Sequence, residues 1–204
     1  MNYQKTESQQ NKRCRYKDMT IKDFEFTLRD GRKAVIRNPR EEDIHGMLDY
    51  LYKSSGETHF LLRYPEECTK YTIEGEKALF ERANSSGNEA MIICEVDGRI
   101  VGSSHVMWSS GIKTRHRASV AIAVLREYWS QGIGTRLMEE LISIAERNKD
   151  IIQLELEYIE GNERARALYE KLGFRVTGVK PDAIRLKDGT LLNEYQMVKR
   201  IHRQ

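Results

Sequence analysis

The stretch SVAIAVLREYWSQGIGTRLMEELISIAERNKDIIQLELEYIEGNERARALYEKLGF, residues 119–174, sets the architecture expected of this chain. Its apolar opening, Ser119–Val124, has the length of a strand. Leu125–Trp129 leads into a glycine-containing loop, Ser130-Gln131-Gly132-Ile133-Gly134-Thr135. Ile133, Leu137, Leu141 and Ile144 then recur at helical spacing. Ile151–Tyr158 alternates as a second strand, and Glu163–Leu172 predicts a helix stopped by Gly173 as its C-terminal cap. A strand, a glycine loop and a helix start in that order form an anion site. The free N–H groups and the positive end of the helix dipole both face the loop. Gly132 and Gly134 let a phosphate come close to the backbone. The dinucleotide pattern GxGxxG is excluded, because Leu137 stands where its third glycine belongs, and no Gly-Lys-Ser/Thr follows to make a P-loop. A GxG alone is equally the mark of a turn.

Outward from this stretch, Phe24, Phe26 and Leu28 alternate, Asp30-Gly31 supplies a turn, and Ala34-Val35-Ile36 resumes, which predicts a hairpin ended at Asn38-Pro39. Ile44, Met47, Leu48 and Leu51 predict a helix over about 40–54. A less amphipathic helix follows over 72–84, with an irregular segment 55–70 holding Pro65 between them. Ala90–Val96 and Arg99–Trp108 are strands joined by Asp97-Gly98. Ala118–Val124 is a further strand, and Phe174–Val179 and Asn193–Arg200 are the last two. The order β-β-α-α-β-β-β-α-β-α-β-β predicts one α+β domain over 21–204, built on a largely antiparallel sheet. Residues 1–20 read as a polar, basic N-terminal extension.

The 204 residues are 39% hydrophobic and 32% charged, with a mean hydropathy of -0.66, a soluble globular composition. The longest near-apolar run, Ala118–Leu125, is far short of a membrane span. The N-terminus has no apolar core of a secretory signal. The net charge is +3. Lys5, Lys12, Arg13, Arg15 and Lys17 against Glu7 and Asp18 account for that whole excess, so the body is neutral and offers no field for nucleic acid or membrane. Cys14, Cys68 and Cys94, with His45, His59, His105, His116 and His202, show neither disulfide nor zinc spacing. Reduced thiols in a cytoplasmic protein without a metal are the expectation.

AVLREYWSQGIGTRLM (123–138) and LELEYIEGNERARALYEKLGF (154–174), with EVDGRIVGSS (95–104) and AVIRNPREEDI (34–44), resemble the GNAT superfamily of N-acetyltransferases. The resemblance runs over about residues 24–200. It implies the acyl-CoA N-acyltransferase fold, a mixed, mostly antiparallel central sheet flanked by helices, and acetyl-CoA as co-substrate. It implies that the backbone of Ile122, Ala123 and Val124 bonds the pantetheine arm. Trp129, Ser130, Gln131, Gly132, Ile133, Gly134 and Thr135 would cradle the pyrophosphate. Asn162 would meet the arm near its thioester end, and Tyr169 would stand by the sulfur as general acid. Asn162 also suits a helix N-cap. Tyr169 shares a helix face with Ala165, beside Leu168 and Leu172, as a core aromatic would. The family usually has Arg or Gln where this chain has Trp129. The loop offers mostly N–H groups, so binding is expected to survive. Arg126, Arg136 and the pair Arg164 and Arg166 are the cations available to serve the cofactor phosphates instead.

Acyl transfer needs a neutral amine, a polarised carbonyl, a stabilised oxyanion and a protonated leaving thiolate. The N–H of Val124 can polarise the carbonyl only if strands 118–124 and 151–158 splay. Strand 118–124 holds no carboxylate. Glu155 and Glu157 share one face of the next strand with Gln153, opposite Ile152, Leu154 and Leu156. Carboxylates on an interior strand are costly unless they face water or a cleft, so Glu155, Glu157 or a chain of waters is the proton acceptor. His105 and His116 are lesser candidates.

The acceptor pocket is expected from the 40–85 helices and a 180–192 connection, with Glu57, His59, Arg63, Tyr64, Tyr71, Asp182, Arg185 and Lys187. Their mixed charge excludes a polyacidic pocket for polyamines, and an arginine there would hold a carboxylate. The ending IRLKDGTLLNEYQMVKR (184–200) resembles the bacterial subgroup that acylates small amines and amino acids. The expected function is acetyl transfer to a primary amine of a small molecule by direct attack in a ternary complex. The alternatives are a protein N-terminal acetyltransferase of the ribosomal-protein type, with an open peptide groove, and a non-catalytic acyl-CoA-binding module. Asn162 and Tyr169 speak against the last. Neither nucleic acid nor membrane is an expected partner, and the family resemblance implies a homodimer.

Overall fold

The computed structural model describes residues 19–201. The extension expected over 1–20 lies outside the described residues up to 18, and Met19 is already packed in the core. The strands are β1 (Phe24–Thr27), β2 (Lys33–Arg37), β3 (Glu89–Val96), β4 (Arg99–Trp108), β5 (Arg117–Val124), β6 (Gln153–Ile159), β7 (Arg175–Arg185) and β8 (Leu191–Arg200). They form one sheet in the order β1-β2-β3-β4-β5-β6-β8-β7. Every neighbouring pair is antiparallel except β5 with β6. The helices are α1 (Ile44–Glu57), α2 (Ile73–Ser85), α3 (Ile133–Glu146) and α4 (Glu163–Lys171). This is the mixed, mostly antiparallel architecture that the sequence implies.

Local chemistry accounts for most of these elements. Asp97 and Gly98 both have positive φ, 50° and 76°, the backbone that a two-residue hairpin turn requires. β3 is buried almost throughout because α2 and α3 lie against it. The α3 stripe of Ile133, Leu137, Leu141 and Ile144, joined by Met138 and Ala145, is fully buried.

Two segments differ from expectation. The irregular stretch 55–70 is shorter: α1 continues to Glu57, and Pro65–Lys70 is a 3-10 helix. The 180–192 connection is mostly strand, with only a tight turn at 186–190. Pro181 does not end β7 because β7 is the sheet's edge, and the register shift between Lys180 and Ile184 absorbs it.

The parallel pair is the feature that makes a site. β5 and β6 pair only at Arg117–Ser119 with Gln153–Glu155. Beyond that they diverge, while β6 stays paired with β8 from Gln153 to Ile159. The sheet is therefore notched at the C-terminal ends of two parallel strands.

A buried ionic cluster anchors the other half. The Arg37 guanidinium donates to both oxygens of Asp43, at 2.6 and 2.8 Å, and to Glu95 at 2.6 Å. It joins β2, β3 and the turn that starts α1. Burial alone would raise the Asp43 pKa, but the Arg37 donors and the Arg40 N–H outweigh it and hold the carboxyl below the usual range. Arg37→Ala leaves Asp43 buried without its partner and should cost about 3–5 kcal/mol, read from urea unfolding. Because the Asp43 pKa is lowered on folding, its contribution is complete above the ordinary carboxylate range and is lost as the pH falls below it.

Candidate active site

A cavity of about 520 Å³ occupies the notch. β5 lines it with Val120–Val124, β6 with Glu157–Ile159, and α4 with Asn162, Ala165, Leu168 and Tyr169. The splay leaves the Val124 carbonyl without a strand partner, and a side chain meets it. The Trp129 indole N–H donates to the Val124 carbonyl at 2.7 Å, and the Tyr50 hydroxyl to the Ala123 carbonyl at 2.8 Å.

The loop after β5 is held in an unusual shape. Ser130 has φ 62° and Gly132 has φ 95°. A side chain tolerates the first poorly, and glycine is suited to the second. Gly132 caps α3 without a side chain, so the N–H groups of the first turn have neither an intrahelical acceptor nor a capping oxygen from that residue. Gly134 brings α3 against α4: an added Cβ would lie 3.2 Å from Leu168 Cδ2. The resulting wall of N–H groups at a helix start suits a diphosphate.

Among the expected cofactor contacts, Ile122, Ala123, Val124, Trp129, Ser130, Gly132, Ile133, Gly134, Thr135, Asn162 and Tyr169 all line the cavity. Gln131 does not. Its side-chain oxygen accepts from the Asp30 N–H at 3.2 Å, tying the β1–β2 turn to the loop. Asn162 is the N-cap of α4, its Oδ1 accepting from the Ala165 N–H at 3.2 Å. Tyr169 is 6% exposed, and no group among the described residues hydrogen-bonds its hydroxyl. Burial pushes its pKa up to about 12, which keeps the phenol a proton donor at every ordinary pH.

The two carboxylates of β6 separate. Glu157 lines the cavity. Glu155 does not: it closes the last β5–β6 pair opposite Ser119, accepts from Gln153 and lies 3.5 Å from Arg117. Period two put both on one face, and where the pairing stops decides which of them meets the notch. Lys180 donates to Glu157 at 3.0 Å and to Glu194 at 2.8 Å. The Lys180 hydrogen bond holds the Glu157 carboxyl below the usual range. Glu194, 8% exposed and facing the cavity from β8, has no sequence signal beyond being a carboxylate within an otherwise ordinary strand. His105 pairs instead with Glu89 at 3.0 Å, away from the notch, and the His116 carbonyl accepts from Ile152 and Gln153.

On the acceptor side, Glu57 and Arg63 line the cavity, whereas His59, Tyr64, Tyr71, Asp182, Arg185 and Lys187 do not. Tyr64 and Lys187 have a structural part. The strap from Thr58 to Arg63, apart from His59, lines the cavity, and Phe60 reaches Gly161 just before α4. Arg126 bonds the Glu57 carbonyl at one end of the strap. At the other end the Lys187 N–H donates to the Tyr64 hydroxyl at 3.1 Å, and the Lys187 ammonium pairs with Glu66.

A splayed parallel pair that opens onto a glycine loop and a helix start defines a site for an acyl carrier with a phosphorylated tail. The acetyltransferase (GNAT) family model matches residues 45–174, and the chain belongs to that family. It is 28% identical over 153 residues to an N-alpha-acetyltransferase of Saccharolobus solfataricus, covering 71% of this chain and 82% of that one. Its fold matches an acetyltransferase of the GNAT family from Streptococcus pneumoniae with a TM-score of 0.78 and 25% identity, over 83% of this chain and 99% of that one. It also matches a GNAT superfamily phosphinothricin acetyltransferase from Sinorhizobium meliloti, solved with acetyl-CoA, with a TM-score of 0.71 and 16% identity, over 82% and 88%. The protein is an acetyl-CoA-dependent N-acetyltransferase. Among the described residues no helix is long and apolar enough to cross a membrane, and no group of three His, Cys, Asp or Glu is placed to hold a metal.

Asn162→Ala should destabilise the protein by about 1 kcal/mol in denaturant unfolding. Asn162→Ser keeps a capping oxygen and should change stability by only a few tenths.

Proposed function

We propose that the acceptor is the primary amine of a small molecule, an amino acid or a related amine. The observation that carries this is the strap Thr58–Arg63, pinned to the loop after β5 by Arg126 and to the β7–β8 turn by Tyr64 and Lys187. It lines the side of the notch where a peptide acceptor would need a groove. Arg63 lines the same cavity. Its Nη2 donates to the Ser54 hydroxyl at 3.1 Å, and its Nε is buried without a partner among the described residues. A guanidinium there suits a substrate carboxylate.

Acetyl-CoA, when bound, supplies the thioester acetyl group and a thiol as leaving group. The N–H groups from Gly132 to Thr135 hold its diphosphate, and Asn162, whose Oδ1 is taken by the cap, offers its amide to the arm. The Val124 N–H polarises the acetyl carbonyl. Tyr169 presents its proton to the departing sulfur. Glu157, kept ionised by Lys180, draws the proton from the attacking amine, directly or through water. Its lowered pKa makes it a weak base, so the reaction should quicken as rising pH supplies more neutral amine.

A second possibility, acetylation of a protein N-terminus, is favoured by the name of the Saccharolobus relative. Thiol release with acetyl-CoA against amines, amino acids and short peptides separates the two. Turnover with a small carboxylate-bearing amine, weakened about tenfold or more in KM by Arg63→Ala, supports the proposal. Turnover with peptides alone rejects it. Tyr169→Phe should lower kcat by roughly ten- to a thousandfold at unchanged coenzyme A affinity. Glu157→Gln should lower kcat/KM for the amine, while Glu155→Gln should leave it unchanged.

A further inference from the structure

Four arginines surround the phosphate loop, and their partners sort them. Arg136 lies 3.6 Å from Glu139, and Arg166 donates to Glu170 at 2.9 Å. The Arg126 guanidinium bonds the Glu57 carbonyl and, like that of Arg164, has no carboxylate partner among the described residues; it is farther from the Trp129 ring, at 5.4 Å, and Arg126 does not line the cavity. Arg164 has no carboxylate within salt-bridge distance among the described residues, and it alone of the four lines the cavity. Its Nη1 donates to the Ser130 hydroxyl at 2.9 Å, a neutral acceptor on the strained residue of the loop. Its guanidinium lies over the Trp129 ring, 4.5 Å from the centroid. The indole is itself fixed by its hydrogen bond to the Val124 carbonyl.

A planar cation is thus held in place by a π face and a hydroxyl, with its charge uncompensated, beside a row of helix N–H groups. That is a preorganised anion ligand: stacking lowers the entropy lost on binding, and a guanidinium fork matches phosphate oxygens. Arg29, on the β1–β2 turn, also lines the cavity, but nothing among the described residues holds its side chain. It is a cation without a fixed position.

We propose that Arg164 is a phosphate ligand of coenzyme A and that Trp129 is its positioning residue, so that α4 and a stacked indole supply the cation that the loop itself lacks. The inference rests on the acetyl-CoA dependence of the enzyme. Binding of coenzyme A by the unaltered protein tests that dependence separately.

The test is calorimetric titration of the full chain with coenzyme A and with 3′-dephospho-coenzyme A, needing no acceptor and no turnover. Arg164→Ala should weaken coenzyme A by about ten- to a hundredfold and flatten the salt dependence of binding, with the thermal midpoint unchanged. An equal loss with the dephospho form assigns the contact to the diphosphate, and a loss with coenzyme A alone assigns it to the 3′-phosphate. Arg29→Ala should change the affinity by no more than about threefold. Trp129→Phe keeps a π face and should retain most of the affinity. Trp129→Leu should lose nearly as much as Arg164→Ala and add little to it in the double variant. Affinity within about twofold of the parent in Arg164→Ala would overturn the ligand role. Equal losses in Arg29→Ala would reduce it to a general field effect, and additive losses in the double variant would remove Trp129 as platform.

Discussion

The parallel contact of β5 with β6 is the constraint on which the molecule depends. Parallel neighbours need a long crossover, and here α3 makes it. The crossover sets the helix start at the same end of the sheet as the divergence of the two strands. Three residue pairs are enough to hold the strands together, because β4 and β8 carry the rest of their hydrogen bonding. Past Ser119 and Glu155 the backbone must find other partners. Trp129 meets the Val124 carbonyl, and what remains in the gap is a surface of strand and helix N–H groups suited to an extended, phosphorylated ligand.

Charge is distributed to match. The body is neutral, so recognition relies on local imbalance and not on a global field. Arg37 sits between Asp43 and Glu95, one cation against two carboxylates, and ties the N-terminal hairpin to the central strands and to α1. Lys180 bridges Glu157 and Glu194 beside the notch and holds the Glu157 carboxyl below the usual range. Above the loop, Arg164 has no counter-charge among the described residues. The glycine loop and helix start lie at one end of the notch, and the strap Thr58–Arg63 lines the notch with Glu157 and Glu194.

What the sequence by itself determined follows from local rules. Period 3.6 marked α3, the two positive-φ residues Asp97 and Gly98 marked a hairpin, and the order of strand, glycine loop and helix marked an anion site, because each depends on neighbours a few residues away. Eleven of the twelve positions that the family resemblance marked for the cofactor, Asn162 and Tyr169 among them, line one cavity; the Gln131 side chain turns away to Asp30, which is distant in the chain. Only the tertiary structure decided the rest. Glu155 and Glu157 are equivalent by strand period, and the point where β5 leaves β6 separates them. Pro181 reads as a break until β7 proves to be an edge strand. Glu194 resembles any surface charge until the sheet order places it, and Arg164 is one of four cations near the loop until the stacking on Trp129 singles it out. Periodicity reports which face a residue occupies, and contacts between distant segments report what that face meets.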